Sequence, residues 1–492
     1  MKNYQPYCCI ALFLLAFSNV SIAKIRLPAI LASNMVLQRN TTITLWGWAN
    51  AGEKITIRTS WLKDPINSIA ESTGSWSIKI QTTNDRKPQT IRINSKDSNL
   101  WLDNILFGEV WLCSGQSNMT MPVKGYLGQP VYGSQNIILE AENENLRLFT
   151  VGLQASNEPR MEMEKNSGWQ SANMRNVKEF SAVAYLFGKQ LQDILDVPVG
   201  MIHSSWGGSL IEAWMSSEIL GTIKKVDLNN VDLARGNRFP TVLFNAMINP
   251  LIPYSIRGIL WYQGEANASR PEEYKKLFPA MVKDWRARWG IGEFPVYYAQ
   301  IAPFMYDSTN RLDARNNAAF MREAQMHCLD LIPNSGIAIT MDIGEADNIH
   351  PPKKKEVADR LLYNALHHTY GYKEVSFSGP VYDSMEVKNG GIYLSFRGAE
   401  NGLYTFNKLN GFLIAGADKI FYPAKASISR GRQVFVINEE VKNPVAVRYA
   451  WRSWDMGTLF DTWLLPASSF RTDQWQDAKE LSLPNQALVP LK

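Results

Sequence analysis

The chain has 492 residues, 45% hydrophobic and 20% charged, so it is long enough to bury the cores of two or three domains. Its formal net charge is only +5 and no long block of like charge occurs, which argues against nucleic acid as a partner. Aromatic residues make up 11% and include 16 Trp, a level typical either of a β-rich core or of a surface that stacks on sugar rings.

Residues 1–23 have the pattern of a secretory leader. Lys2 precedes an apolar run from about Cys8 to Phe17, and the stretch ends in the small-x-small pattern Ser21-Ile22-Ala23. The run is too short for a comfortable membrane span, so we expect an exported protein with no span after leader removal. It would be periplasmic or secreted, or lysosomal or secreted in a eukaryote. A retained N-terminal anchor is the alternative. Without the leader, 50 Lys and Arg face 46 Asp and Glu, a net charge of +4.

Two parts of the chain show the period of two that is typical of strands. Residues 24–104 contain alternating runs such as TTITLWGW, EKITIRT and QTIRI, separated by turn residues, which predicts an N-terminal β-sandwich-like module. The same alternation returns in GIYLSFRG, RQVFVIN and PVAVRYAW, so we expect residues 373–492 to form a C-terminal β-rich module. The two cysteines outside the leader, Cys113 and Cys328, are too few for a disulfide framework.

Residues 105–372 alternate apolar strands with amphipathic helices. Examples are SAVAYLFGKQLQDIL followed by VPVGMIHSS, and RGILWYQGE followed by EEYKKLFPAMVKDWRARWG. This alternation predicts an α/β domain with a parallel sheet and helices on both faces. Ligands of such sheets bind beyond the carboxyl ends of the strands, and four unusual segments occur at those ends.

The first segment is GEVWLCSGQSNM, in which a buried strand ends in small polar residues. Gly115 permits a sharp turn, Ser117 offers a hydroxyl nucleophile, and Asn118 can bond locally or point at a ligand. The alternative is that Ser117 only caps the helix that follows.

The second and third segments carry candidate hydrogen-bond donors. In HSSWGGSLIEAW, Gly207 and Gly208 let the backbone approach a ligand, so an N–H there can donate to a developing oxyanion, although a plain strand-to-helix turn explains them too. In WYQGEAN, Gln263 can donate a side-chain N–H, and Glu265 fits either a ligand contact or a structural carboxylate.

The fourth segment is DIGEADNIHPPKKKEVADRL, which places His350 on a loop ahead of two prolines and a helix. Asp347, three residues earlier, can fold back onto the imidazole and fix its tautomer. We interpret the run Lys353–Lys355 as the solvated face of the helix start.

A nucleophile, oxyanion donors, an acid and a base thus fall on successive strand ends, in the order of an SGNH-type hydrolase. The blocks GEVWLCSGQSNM, WGGSLIEAWMS, WYQGEAN and DIGEADNIHPPKKKEVADRL resemble the sialate O-acetylesterase family of that superfamily. The opening ILASNMVLQRNTTITLWGWANAGEKITI and the closing GFLIAGADKIFYPAKA resemble it too, so the similarity spans nearly the whole chain beyond the leader.

The resemblance implies a serine esterase, without metal or cofactor, that removes acetyl groups from an O-acetylated sugar or glycan. It implies Ser117 as the nucleophile and His350 as the general base. The expected oxyanion donors are Gly208, with Gly207 as its rival, and Gln263. The positions expected to bind substrate are Asn118, Gly207 and Glu265.

The sequence does not decide which group acts as the acid that orients His350 in a Ser-His-acid triad. Relatives often have a carboxylate two residues before the histidine, but that position is Asn348 here, so Asp347 is our first choice. Asp342 on the preceding strand is the reserve, and a main-chain carbonyl that holds the imidazole is a third possibility.

The substrate is open as well. O-acetylated sialic acids compete with acetylated plant polysaccharides such as xylan or xyloglucan, and Arg270 is either a partner for a sialate carboxylate or an ordinary surface arginine. A non-catalytic carbohydrate-binding protein is the alternative from another class. A metal-dependent deacetylase lacks a His and Asp cluster with ligand spacing. The oligomeric state does not follow from the sequence.

Overall fold

The computed structural model of the protein describes residues 24–226, 231–306, 309–312 and 317–481. The expected leader, residues 1–23, lies outside these ranges. Within them, no helix combines the length and the apolar character needed to cross a membrane.

The strands of the described residues, in chain order, are β1 (Val36–Gln38), β2 (Thr42–Trp48), β3 (Lys54–Thr59), β4 (Ile66–Ile69), β5 (Ser75–Gln81), β6 (Gln89–Asn94), β7 (Asn99–Gly115), β8 (Asn143–Thr150), β9 (Gln170–Ala172), β10 (Val199–Ser205), β11 (Gly258–Tyr262), β12 (Val296–Ala299), β13 (Ser335–Ala338), β14 (Val381–Lys388), β15 (Gly391–Arg397), β16 (Leu403–Tyr404), β17 (Phe412–Ala415), β18 (Ile420–Pro423), β19 (Lys425–Ser429), β20 (Gln433–Ile437), β21 (Ala446–Tyr449), β22 (Phe460–Asp461), β23 (Phe470–Arg471) and β24 (Lys479–Glu480).

The α-helices are α1 (Ser117–Thr120), α2 (Ser134–Leu139), α3 (Met174–Glu179), α4 (Ala182–Leu195), α5 (Ser217–Gly221), α6 (Pro271–Trp289), α7 (Ala319–Leu331) and α8 (Lys354–Asn364). Short 3₁₀ or π turns span Ile211–Trp214, Leu233–Arg238, Phe244–Ile248, Asn249–Leu251, Glu265–Asn267 and Ala365–Thr369.

The longest helix, α6, shows why the sequence forms helices where it does. It begins with Pro271, whose missing N–H costs nothing in a first turn, and Glu272 follows at the positive end of the helix dipole. Its last turn carries Arg286 and Arg288, and Gly290 ends it in a left-handed conformation. Local signals in the sequence therefore mark both ends of this helix.

The central sheet has the strand order β13-β12-β11-β7-β10-β8-β9. All neighbours from β13 to β8 are parallel, and only the edge strand β9 is antiparallel. The predicted α/β fold, with a parallel sheet and β-rich modules, is confirmed.

Helices cover both faces of this sheet because successive side chains of a strand point to opposite sides. On one face, the ring of Trp111 in β7 packs 5.2 Å from Phe187 in α4, and α8 lies beside α4. On the other face, Trp261 in β11 stacks 6.0 Å from Phe278 in α6, which packs on α7. The sheet is thus buried on both sides, which explains its nearly continuous apolar strands.

One strand joins the N-terminal module to the central sheet. β7 pairs antiparallel with β6 in its first half and parallel with β10 and β11 in its second half. The boundary expected between residues 104 and 105 therefore falls within a continuous strand. In β7, the fully buried carboxylate of Glu109 accepts hydrogen bonds from Arg39 at 2.6 Å and Arg257 at 2.6 Å, which ties the module to the sheet.

The C-terminal module consists of small sheets, of which the larger have the orders β14-β15-β20-β19 and β23-β21-β17-β18-β24. Arg322 of α7 attaches it to the central domain. This guanidinium is fully buried and donates to the hydroxyl of Ser469 and to the carbonyl oxygens of Ala450 and Arg452.

The register of the sheet brings three strand ends to one level. Gly115 at the end of β7 pairs with Ser205 of β10 on one side and Tyr262 of β11 on the other. Gly115 has a φ of +135°, and a Cβ there would lie 2.2 Å from the carbonyl oxygen of Tyr262, so only glycine fits. The segments that follow these strands therefore meet at one edge, as predicted.

Candidate active site

Ser117 is the first residue of α1, directly beyond the end of β7. The N-cap position belongs to Gln116, which makes no side-chain cap, so Ser117 does not serve as a helix cap. Ser117 is half-buried, and its hydroxyl makes no hydrogen bond to any described residue. The Oγ of Ser117 is therefore available to a ligand.

The imidazole of His350 is held by a glutamine. Its Nδ1 lies 2.7 Å from Oε1 of Gln129, and the ring of Tyr126 packs edge-on at 5.3 Å between centroids. Because an amide oxygen only accepts hydrogen bonds, Nδ1 carries the proton and Nε2 keeps a free lone pair. That tautomer is the one a general base needs.

The structure brings Ser117 and His350 to one site without a direct hydrogen bond between them in the described chain. The hydroxyl of Tyr126 donates to the carbonyl oxygen of Ser117 at 3.1 Å, while its ring packs on His350. The amide of Asn118, one residue after the nucleophile, donates to the carbonyl oxygen of Ile349 at 3.0 Å, one residue before the base. The two segments are thus tied together on both sides.

The carboxylates expected to act as the acid do not reach the imidazole. Asp347 is exposed and has no hydrogen bond or ion pair to a described residue, although it is close to His350 in sequence. Asp342 forms a two-pronged ion pair with Arg360, with both N–O distances at 2.7 Å. Neither Asp347, our first choice for the acid, nor Asp342, the reserve, therefore holds the imidazole. Gln129 occupies the position that we assigned to a carboxylate or a main-chain carbonyl.

The glycine turn after β10 lies against the nucleophile. A Cβ on Gly207 would lie 3.5 Å from the Cβ of Ser117, and Gly208 has a φ of +66°. Asn237 donates to the carbonyl oxygen of Gly207 at 2.9 Å and holds the turn in place. The N–H groups of Gly207 and Gly208 make no hydrogen bond to other described residues, which leaves both free to donate.

Gln263 is not presented to a ligand. Its side chain is fully buried, and its Nε2 donates to the carbonyl oxygen of Ser209 at 3.1 Å and to Oδ1 of Asn267 at 2.7 Å. Both amide protons are therefore in use. The expectation that Gln263 donates to the oxyanion is not supported by this geometry, because its bonds hold two loops together instead.

Asn118 and Glu265 also face the protein rather than a substrate. The Nδ2 of Asn118 donates to Oε1 of Glu265 at 2.6 Å, and its Oδ1 accepts from Nζ of Lys354 at 2.5 Å. All three side chains are buried, with Lys354 at 0% exposure. The interpretation of Lys353–Lys355 as a solvated face is thus wrong for Lys354. Glu265 therefore has the geometry of a structural carboxylate, the alternative given for it above. Of the three positions expected to bind substrate, only Gly207 lies against Ser117 from a neighbouring turn in the described structure.

Comparisons with known proteins show the family to which the chain belongs. The sequence model of the family described as carbohydrate esterase, sialic acid-specific acetylesterase matches residues 107–361, just over half of the chain. The structure is similar to that of a carbohydrate acetylesterase from Xanthomonas citri, with a TM-score of 0.83 and 34% identity over 92% of this chain and 100% of that one.

The protein is a member of that carbohydrate esterase family. It is also 28% identical to the sialate O-acetylesterase of Homo sapiens over 87% of this chain and 88% of the relative, and 27% identical to that of Mus musculus over 87% and 90%. It is therefore a carboxylic ester hydrolase that acts on O-acetyl esters of sugars.

Burial sets the electrostatics of the esterase site. Burial and, to a smaller extent, the positive charge of Lys354 together lower the pKa of His350 to about 4. Burial lowers the pKa of Lys354 as well, and with the opposing charge of Glu265 included that pKa is about 7. Burial raises the pKa of Glu265. The imidazole is therefore neutral at neutral pH, as a general base must be.

Sequence reasoning missed three residues of the site: Tyr126, Gln129 and Lys354. Tyr126 and Gln129 lie in an irregular loop after α1 whose sequence has no period, so nothing marks them. Lys354 is marked in the sequence by its helical spacing, since it shares its helix face with the buried residues Val357, Ala358 and Leu361. A lysine on the inner stripe of a helix is a candidate for a buried role.

Proposed function

We propose that the esterase is a serine hydrolase that deacetylates O-acetylated sialic acids, with Ser117 as its nucleophile and His350 as its base. The reaction is supported by the free Oγ of Ser117 and by the hydrogen bond from His350 Nδ1 to Gln129, which leaves Nε2 as the acceptor. In this proposal Gln129 orients the imidazole in place of an acid.

The proposed reaction has two steps. In the first, Nε2 of His350 takes the proton of Ser117 Oγ as the oxygen attacks the acetyl carbonyl, and the sugar hydroxyl leaves with that proton. In the second, His350 takes a proton from water, which attacks the acetyl-enzyme, and acetate leaves as the proton returns to Oγ.

The oxyanion of each tetrahedral intermediate needs donors at this site. The N–H of Ser117, at the first position of α1, has no acceptor within its helix, because the first N–H groups of a helix never do. The unpaired N–H groups of Gly207 and Gly208 lie on the neighbouring turn. We assign the oxyanion to these backbone groups, with Gly208 as first choice on the resemblance.

The choice of an acidic sugar rests on Arg238. This exposed guanidinium has no hydrogen-bond or ion-pair partner among the described residues, and its Nη2 would lie 3.7 Å from a Cβ on Gly208. A free arginine beside the oxyanion turn suits a sugar carboxylate. Arg270, the candidate from sequence, forms ion pairs with Glu212 and Glu273 and is not available.

The test compares an acidic with a neutral substrate. We expect Arg238→Gln to lower kcat/KM for O-acetylated sialic acid by about 2- to 5-fold, mainly through KM, as expected for one lost exposed ion pair. The variant should leave the rates on p-nitrophenyl acetate and acetylated xylo-oligosaccharides unchanged. Arg235→Gln, which alters an exposed arginine of the same segment, is the matched control.

The outcomes separate the competing substrates. Equal loss on acidic and neutral esters, or no loss on either, would remove the argument for sialic acid. A wild-type enzyme that prefers acetylated xylan or xyloglucan would identify a neutral polysaccharide as the substrate. An absence of acetate release from every ester would leave only a sugar-binding protein.

A further inference from the structure

We propose that Lys354 is a positioning residue of this active site, whose buried ammonium fixes Asn118 and thereby joins the nucleophile turn to the histidine loop. The inference rests on the proposed roles of Ser117 and His350. It concerns a residue that touches neither the substrate nor the reacting atoms.

The hydrogen bonds around Asn118 determine how its amide is oriented. Below its pKa of about 7 the Lys354 side chain is an ammonium, which only donates, so the contact from its Nζ at 2.5 Å requires Oδ1 of Asn118 on that side. Nδ2 must then face the other way, where it donates to Glu265 and to the carbonyl oxygen of Ile349. Without Lys354 the amide loses the partner that fixes this orientation.

The orientation of the Asn118 amide matters because its hydrogen bond to Ile349 connects the segment of the nucleophile with the segment of the base. Asn118 follows Ser117 directly on α1, and Ile349 directly precedes His350. The bond from Asn118 to Ile349 therefore holds the backbone beside the nucleophile against the backbone beside the base. Loss of this bond would let the nucleophile and the base shift slightly relative to each other. Reaction rates are sensitive to such small displacements.

Stability does not explain a lysine at this position. Lys354 is fully buried, and no carboxylate of a described residue lies within ion-pair distance of its Nζ, because Asn118 stands between it and Glu265. Burying an ammonium without a direct counter-ion is costly, and an apolar side chain of similar length would pack on the same helix stripe at lower cost.

The ammonium also acts on the base through its charge. The charged and titratable groups around it are Glu265 from the loop after β11, the Tyr262 ring at 5.9 Å, and His350 on its own loop, where Glu345 and Asp347 also lie. A positive charge near an imidazole disfavours its protonated form. Lys354 thus lowers the pKa of His350, in addition to the larger effect of burial.

The test is the variant Lys354→Met, which keeps the length of the side chain and removes its charge. We expect kcat on p-nitrophenyl acetate to fall about 10- to 100-fold with a small change in KM, as for a misplaced pair of reacting groups. We also expect the acidic limb of kcat/KM and the NMR titration of the His350 ring to move to higher pH by about one unit. A residue that only supports the fold would not move either titration in a variant whose near-UV circular dichroism and thermal midpoint match the wild type, because the burial of His350 is then unchanged.

Lys355→Met is the matched control, since Lys355 is exposed and pairs only with Asp359, one turn along α8. It should retain wild-type rates and the wild-type pH profile. If Lys354→Met does not fold, the double variant Lys354→Met with Glu265→Gln removes the unbalanced carboxylate and should still show the shift to higher pH.

Each outcome bears on the proposal. A folded Lys354→Met enzyme with wild-type kcat and an unmoved acidic limb would overturn it, and so would the failure of both variants to fold, since Lys354 would then serve the fold alone. The proposed function is tested separately: if Ser117→Ala retains activity, the nucleophile is wrong, whereas an inactive Ser117→Ala with an unshifted Lys354→Met overturns this inference alone.

Discussion

Nδ1 of His350 and Oε1 of Gln129 lie 2.7 Å apart, so a neutral amide holds the imidazole where a carboxylate was expected. An amide oxygen selects the same tautomer as a carboxylate but adds no negative charge. The protonated imidazole therefore gains less stabilisation during the reaction than it would beside an aspartate.

Truncation of Gln129 tests this contact. We expect Gln129→Ala to lower kcat/KM about 10- to 100-fold, because the imidazole loses the bond that fixes its tautomer, with the proton then free to move to Nε2. Gln135→Ala, an exposed glutamine on α2, serves as the control and should behave as wild type in the same steady-state assay. Unchanged turnover in Gln129→Ala would show that the hydrogen bond has no part in catalysis.

Asp347 and Asp342 give a second prediction. Asp347→Ala should keep kcat/KM within about twofold of wild type, because its exposed carboxylate makes no hydrogen bond or ion pair to a described residue and surface changes cost little. Asp342→Ala should lower the thermal midpoint by breaking a partly buried ion pair with Arg360, and turnover should follow the loss of folded protein. A large loss of kcat in a fully folded Asp347→Ala would restore that residue as the acid.

These residues also show what sequence reasoning can reach. Period and strand order predicted that Ser117, Gly207 and His350 would meet at one edge, because parallel strands carry their carboxyl ends to the same side of a sheet. Asp347 was assigned from its distance along the chain, and a loop residue three positions away need not face the same way. Gln129 comes from a different loop, and its contact depends on tertiary packing alone.

The contacts of buried polar side chains were the second feature that the sequence did not predict. Gln263 and Glu265 were located correctly at the end of β11, but sequence does not tell whether a polar side chain there faces a ligand or another loop. The structure resolves this through hydrogen bonds that use both protons of Gln263. Lys354 was misread because its neighbours are charged, although its helix position places it inside.

The pH dependence of the esterase follows from the pKa of His350. Catalysis needs the neutral imidazole, and burial with the charge of Lys354 lowers its pKa from the ordinary 6.5 to about 4. We therefore expect kcat/KM to stay level as pH falls through 6 and to drop only near pH 4, measured with buffers of constant ionic strength. An acidic limb of kcat/KM near pH 6.5, the ordinary pKa of a histidine, would contradict the neutral, half-buried imidazole described above.

Glu109 gives a prediction for stability. Its pKa is lowered in the folded protein because hydrogen bonds and charges from Arg257 and Arg39 outweigh burial, which by itself raises it. The stabilisation is therefore present above the ordinary pKa of a glutamate and is lost as pH falls through the lower, folded value. Glu109→Gln should lower the free energy of unfolding by about 2–3 kcal/mol at pH 7, since its arginine partners are partly exposed.

The loss in Glu109→Gln should shrink as pH falls below the ordinary pKa of a glutamate and through the lower, folded value, where the wild-type carboxylate also becomes protonated. Denaturant unfolding of both proteins at several pH values measures this difference. A constant difference at every pH would mean that the ion pairs do not join the N-terminal module to the sheet in the way proposed.

The most direct measurement is acetate release by Ser117→Ala beside the wild type, with circular dichroism to show that both are folded. We expect the variant to lose at least about a thousandfold in kcat on O-acetylated sialic acid and on p-nitrophenyl acetate. A folded Ser117→Ala that releases acetate at the wild-type rate would contradict the assignment of Ser117 as the nucleophile.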